Sequence, residues 1–102
     1  MAKQIILYNL AKHVTDEAYK EYVIKEKGPF LESLPSVKKF ELVKITGAAA
    51  GKIPYRYVGI LHVKNLDDFN KKAATSQKFK DFQAKMATML ADEQMLFGEE
   101  IY

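Results

Sequence analysis

Between Pro54 and Phe69 the chain reads Pro-Tyr-Arg-Tyr-Val-Gly-Ile-Leu-His-Val-Lys-Asn-Leu-Asp-Asp-Phe, a run of β-branched and aromatic residues that ends in a helix start. Alternation along such a strand places Tyr57, Gly59, Leu61 and Val63 on one face and Arg56, Val58, Ile60 and His62 on the other, so both faces carry apolar groups. Asn65 then stands at a helix N-cap position, with Asp67 and Asp68 at the positive end of the helix dipole. A strand that needs shelter on both sides demands two covering layers. That demand limits the architecture more than any other feature of the chain.

The remaining segments supply those layers. Gln4 to Leu10 reads as a first strand, short and apolar. Thr15 is an N-cap, followed by Asp16 and Glu17, and opens a helix whose Ala18, Tyr19, Tyr22 and Val23 fall on one stripe. Gly28-Pro29 is expected to stop it, glycine as a left-handed terminal residue and proline as a breaker. Phe30, Leu31 and Leu34 form a short helical turn ended by Pro35, and alternation from Ser36 to Thr46 gives a second strand with mixed faces. The small-residue loop from Gly47 to Lys52 joins it to the third strand as a hairpin. Leu66, Phe69 and Ala73 mark a short helix, and Thr75 or Ser76 restarts the chain into a longer one. Its apolar stripe is Phe79, Phe82, Met86, Met89 and Leu90, and Asp92-Glu93 is expected to end it. Residues 93–102 read as a final strand about Gly98.

The order β-α-β-β-α-β defines an α+β class, the split βαβ or ferredoxin-like arrangement, in one domain spanning residues 1–102. A chain of 102 residues buries roughly two-thirds of the surface its unfolded form exposes. Both helices pack on one face of the four-stranded antiparallel sheet, yet apolar side chains alternate to both faces. The open face is therefore expected to be covered by a second copy, giving a homodimer of sheet against sheet.

Composition removes several function classes. There is no cysteine, hence no thiol catalysis and no zinc-thiolate site. Sixteen basic against thirteen acidic residues give a net charge of +3, but the lysines are scattered; Lys25-Glu26-Lys27 and Lys78, Lys80, Asp81 read as solvated helix faces, and nucleic-acid binding is not expected. The opening residues Met1 to Tyr8 fit neither a signal peptide nor a membrane span, so no membrane partner and a cytoplasmic location are expected. Gly47 and Gly51 lack the Lys-Ser/Thr of a phosphate loop, no His-Glu-x-x-His or carboxylate–histidine cluster points to a metal, and no serine sits in a nucleophile elbow.

Asn9-Leu10, Leu34-Pro35-Ser36-Val37, Pro54-Tyr55-Arg56-Tyr57 and Leu96-Phe97-Gly98-Glu99-Glu100-Ile101 resemble the corresponding segments of the dimeric α/β-barrel superfamily. Among its branches the chain is most similar to the small REDY-like proteins, which include an accessory protein of prodiginine-pigment gene clusters. The resemblance spans nearly the whole chain and implies a dimeric barrel with an accessory role in secondary metabolism. The superfamily also contains cofactor-free monooxygenases, polyketide cyclases, haem-binding and haem-degrading proteins, chlorite dismutase and stress proteins. The fold alone therefore assigns no activity, and no catalytic residue carries over.

A ligand pocket is expected between the open sheet face and the helices or loops at its edge, holding a small apolar or aromatic molecule without a cofactor. The candidate ligand-binding residues are Tyr8, Asn9, Tyr19, Tyr22, Arg56, Tyr57, His62 and Met86; the catalytic candidates are Tyr8, Asn9, His13 and His62, with Tyr55 also near the strand end. Asn9 could hold a carbonyl or enolate oxygen and Tyr8 donate a phenolic proton, as a cofactor-independent monooxygenase or cyclase requires. Against this, aromatic and methionine stripes ordinarily fill cores, a strand histidine without a legible acidic partner is ordinarily an interface residue, and a non-catalytic structural dimer accounts for the same pattern.

Overall fold

The computed structural model describes residues Met1 to Tyr102 throughout. Strands β1 (Ala2–Leu10), β2 (Val37–Lys44), β3 (Tyr57–Val63) and β4 (Leu90–Glu99) form one antiparallel sheet in the order β2-β3-β1-β4. Helix α1 (Asp16–Tyr22) runs through a π-helical stretch (Val23–Lys27) into α2 (Gly28–Glu32). Helix α3 (Leu66–Asp68) continues as a second π-stretch (Phe69–Ala73), and α4 (Gln77–Met89) follows a short break. The chain thus has the ferredoxin-like fold that its alternating segments predict. Three side chains start the helices as read from the sequence: Thr15, Asn65 and Ser76 accept hydrogen bonds from the backbone N–H groups of Ala18, Asp68 and Phe79 at 3.2, 3.0 and 3.2 Å.

Strand register converts alternation into faces. Tyr8 lies opposite Tyr57, Ile6 opposite Gly59, and Phe40 opposite Leu61; this side meets the helices. Ile5 opposite Ile60 and Leu7 opposite Val58, flanked by Val43 and Leu96, form the other side, which the helices leave open. Under the helices lie two packed groups. Leu31, Leu61, Val63, Phe69, Ala73 and Phe79 fill one end, and Tyr8, Tyr19, Tyr57, Met86 and Leu90 the other.

Two helix boundaries differ from expectation. The first helix passes straight through Gly28-Pro29. Gly28 is right-handed, with φ −59° and ψ −56°, and a Cβ there would meet the Val23 carbonyl oxygen at 3.1 Å, so glycine serves close approach inside the widened turn and not a left-handed cap. Pro29 falls in the first turn of α2, where its missing N–H costs little. At the other end, α4 stops at Met89, and Asp92-Glu93 belongs to β4. Between the pairs Leu7–Gln94 and Asn9–Ala91, β4 carries one extra residue, with Asp92 at φ 57°, which is a β-bulge. The final strand therefore begins before Glu93 and ends at Glu99, ahead of Tyr102. Within the α1 stripe, Ala18 is exposed and Tyr19 is fully buried.

Phe69 is 2 % exposed and sets its ring edge-on to Phe79, with centroids 5.8 Å apart. Phe69→Ala is expected to lower the unfolding free energy by about 3–5 kcal/mol, measured by equilibrium urea denaturation.

Candidate functional site

Widening the helix at Val23–Lys27 inserts one residue into the turn and rotates the residues beyond it, bringing Lys27 over the sheet. Its side chain is 5 % exposed. This corrects the reading of Lys25-Glu26-Lys27 as a solvated face: Lys25 is exposed and pairs with Glu21, whereas Lys27 points inward. Lys27 Nζ donates to Tyr19 Oη at 2.6 Å and stands 3.4 Å from Tyr8 Oη, while the two phenol oxygens are 2.6 Å apart. The rings of Tyr8, Tyr19, Phe40 and Phe82 surround the nitrogen at 5.1, 5.3, 5.8 and 6.0 Å.

No carboxylate approaches Nζ within 4.0 Å. An ammonium taken out of water without a counter-ion is costly. Burial accordingly pushes the Lys27 pKa down to about 8, opposed only by the charge of the Glu93 carboxylate. The phenols move the other way. Burial raises Tyr8, with the neighbouring Tyr19 adding to it, and holds Tyr19 at about 12 against the lowering effect of its hydrogen bond with Tyr8. Tyr57 stacks on Tyr8 at 5.6 Å and donates to Asp16 Oδ1 at 2.6 Å; burial and that bond raise its pKa, and the same bond, with Lys44 at 3.1 Å, lowers that of Asp16.

Beside this cluster lies a cavity of about 190 Å³ between the covered face of the sheet and the helices. Its floor is Ile6, Gly59 and Leu61, its roof Leu31, Phe79 and Met86, and Tyr8 and Lys27 form its polar end. Gln83 and Ala87 of α4 and Glu93 and Met95 of β4, all exposed, rim the mouth. The bulge at Asp92 is what turns Glu93 to this side. The cavity lies on the opposite side of the sheet from the pocket expected from sequence, because the tyrosines of β1 and β3 share the face on which the helices pack.

The candidate residues consequently separate. Tyr8 and Met86 line the cavity, and Tyr19 supports it through Lys27. Tyr57 buttresses Tyr8, and Tyr22 lies behind Tyr19 with Lys85 Nζ 4.3 Å over its ring. Asn9 spends its amide on the fold: Oδ1 accepts from the Arg56 N–H at 2.8 Å, and Nδ2 donates to the Pro54 carbonyl at 3.2 Å and to Asp92 Oδ2 at 3.1 Å. Arg56 is exposed and donates to the Ile45 carbonyl at 3.1 Å; His13 is exposed in the loop after β1. His62 is on the open face and does have an acidic partner, Glu41, at 2.5 Å, an interaction that lowers the Glu41 pKa. Sequence reasoning missed Lys27 and Glu93. The available signal for Lys27 was spacing: Tyr19, Val23, Lys27 and Leu31 recur every fourth residue, so the charge interrupts an apolar stripe.

A ferredoxin-like α+β domain with an apolar cavity between sheet and helices is thus the class of the protein. The profile of the family described as REDY-like protein HapK matches residues 2–101, and the chain belongs to that family. In structure it is similar to HapK from Hahella chejuensis, at 20% identity and TM-score 0.78 over 99% of this chain and 93% of that one. A dimeric ferredoxin-like protein of unknown function from Thermobifida fusca matches at 23% identity and TM-score 0.72, covering 95% and 88% of the two chains. SnoaB, a cofactor-independent oxygenase from Streptomyces nogalater, matches at 13% identity and TM-score 0.74 over 97% and 91%. No curated protein matches the chain.

The unfolded chain keeps its lysine proton to about 10.5, whereas folded Lys27 releases it near 8. Between those values the unfolded state binds more protons, so stability rises with pH. Lys27→Met is expected to be more stable than the parent by about 1–3 kcal/mol at pH 7. The gap should shrink as pH climbs from about 8 toward 10, read by urea unfolding of both proteins across that range.

Proposed function

We propose that the protein is a homodimer that holds a small aromatic metabolite between its helices and its sheet, in an accessory role in secondary metabolism. The observation that carries this reading is the cavity of about 190 Å³ whose apolar walls end in one amine–phenol cluster. An apolar cavity of about 150 Å³ accommodates benzene. A single ring with one polar substituent therefore matches the space, its substituent toward Tyr8 and Lys27 and its faces against Phe79 and Phe82. The accessory role is suggested by the resemblance to the REDY-like proteins and not by the site.

The open sheet face is the proposed dimer surface. Ile5, Leu7, Val58 and Ile60 form its centre, and Val43 and Leu96, beside them, are 45% and 46% exposed in the single chain. Lys3, Lys39, Glu41 and His62 form a polar margin at one end. That division into an apolar centre and a polar rim is what protein interfaces present. The dimeric description of the Thermobifida fusca protein supports it.

A cofactor-independent monooxygenase or cyclase is the second reading. It is favoured by the likeness of fold to SnoaB and by a phenol, Tyr8, at the buried polar end of a mainly apolar cavity. Oxygen consumption with a bound hydroxylated aromatic distinguishes it from simple binding.

A Cβ on Gly59 would stand 3.7 Å from the Phe40 ring, an ordinary contact, so the further methyl groups of valine would occupy the cavity. Gly59→Val is expected to weaken binding of phenol, measured by calorimetric titration, by about tenfold or more. Ile60→Lys places a charge at the centre of the open face, and native mass spectrometry should then show the monomer in place of the dimer.

A further inference from the structure

We infer that Lys27 captures carbonyl compounds: an aromatic aldehyde of one ring, seated in the cavity between helices and sheet, condenses with Nζ to form an imine. The inference rests on the ligand-binding reading of that cavity and specifies its chemistry. Three observations converge on it. Nζ lies at the polar end of the cavity, enclosed by four aromatic rings and with no carboxylate within 4.0 Å, an environment that favours the neutral amine. Its neighbours are phenols, Tyr19 at 2.6 Å and Tyr8 at 3.4 Å, which keep their protons because burial raises both. The remaining titratable groups about the cluster are Tyr57, tied to Asp16, Tyr22 behind Tyr19 with Lys85 over its ring, and Glu93 at the mouth.

The hydrogen bonds arrange the atoms for addition. A neutral Lys27 donates one N–H to Tyr19 Oη, and Tyr19 donates to Tyr8 Oη. This leaves the nitrogen lone pair and the Tyr8 O–H free for the cavity. The lone pair adds to the carbonyl carbon, and the carbonyl π pair moves to oxygen, which takes the Tyr8 proton; the proton lost from nitrogen returns to Tyr8 through Tyr19. In the resulting carbinolamine the nitrogen lone pair expels the hydroxyl group, which leaves as water with a second proton from Tyr8, and the last N–H proton restores that phenol. Amine and aldehyde become imine and water, with no change of oxidation state. Burial, which brings the lysine to about 8, keeps a useful fraction of the amine unprotonated near neutral pH.

Benzaldehyde with sodium cyanoborohydride, followed by peptide mapping, tests the inference on the full-length protein near pH 8. Reduction should fix a benzyl group on Lys27 on the order of tenfold faster than on the exposed Lys25 or Lys38. Tyr8→Phe, which keeps the ring and removes the proton donor, should slow labelling at Lys27 and leave that at Lys25 unchanged. Calorimetric titration with benzyl alcohol and with benzoate runs beside it. Labelling confined to exposed lysines while benzyl alcohol binds overturns the imine and leaves the cavity reading standing. Benzoate binding tenfold or more tighter than benzyl alcohol, with no label on Lys27, replaces imine formation by ion pairing and also overturns it. No binding of either, and no label on Lys27, removes the cavity reading as well.

Discussion

A lysine amine held out of water by phenols, with no carboxylate in salt-bridge contact, is the interaction around which this domain is arranged. To bring Lys27 there the first helix must neither stop at Gly28-Pro29 nor continue with regular α-geometry. The π-stretch shifts the phase of the helix by one residue, and Gly28 lets the widened turn close against the Val23 carbonyl. Beneath it, Tyr8 and Tyr57 must face each other across β1 and β3, which fixes the register of the two central strands. A slip of one residue by either strand would send that strand's tyrosine to the open side and leave the amine with a different set of partners.

The same placement explains why the buried end of the site is polar. Fold stability comes from the apolar group at the other end, where Phe69 and Phe79 close over Leu61 and Val63. The tyrosine group contributes packing too, but at its boundary space remains unfilled next to the least comfortable group in the protein. A well-packed interior seldom leaves room for several atoms beside a buried amine. Local departures from ideal packing and helix geometry concentrate at functional sites, and here the widened helix, the bulged strand and the cavity all meet at Lys27 and Glu93.

How much could be read from the chain alone divides along physical lines. Element order, helix starts and the two-faced β3 were legible because caps and alternation are local signals: Thr15, Asn65 and Ser76 act within three residues. The site was legible only in its aromatic part. Tyr8, Tyr19 and Met86 follow from periodicity, but Lys27 follows a charged pair that reads as surface, and only its four-residue spacing from Val23 and Leu31 marks it as inward. Asn9 was misleading for the opposite reason. Its chemistry suits an oxyanion, yet all its amide bonds go to Arg56, Pro54 and Asp92, joining the ends of three chain segments. His62 needed a partner from the neighbouring strand, Glu41, whose position depends on the β2–β3 register.

Asp92, in its left-handed conformation, acts on β4 as a parity switch. Upstream of it Leu90 points into the domain; downstream the count of alternate positions is offset by one, so that Met95 and Phe97 look toward the helical side and Leu96 toward the opposite one. Drawing that extra residue into the ladder would exchange the two sets all along the rest of the strand, whereas removing it would leave a regular ladder with both sets in place. The rim of the cavity and the bare sheet surface thus share one backbone irregularity, which absorbs the odd residue and holds both in phase with β1.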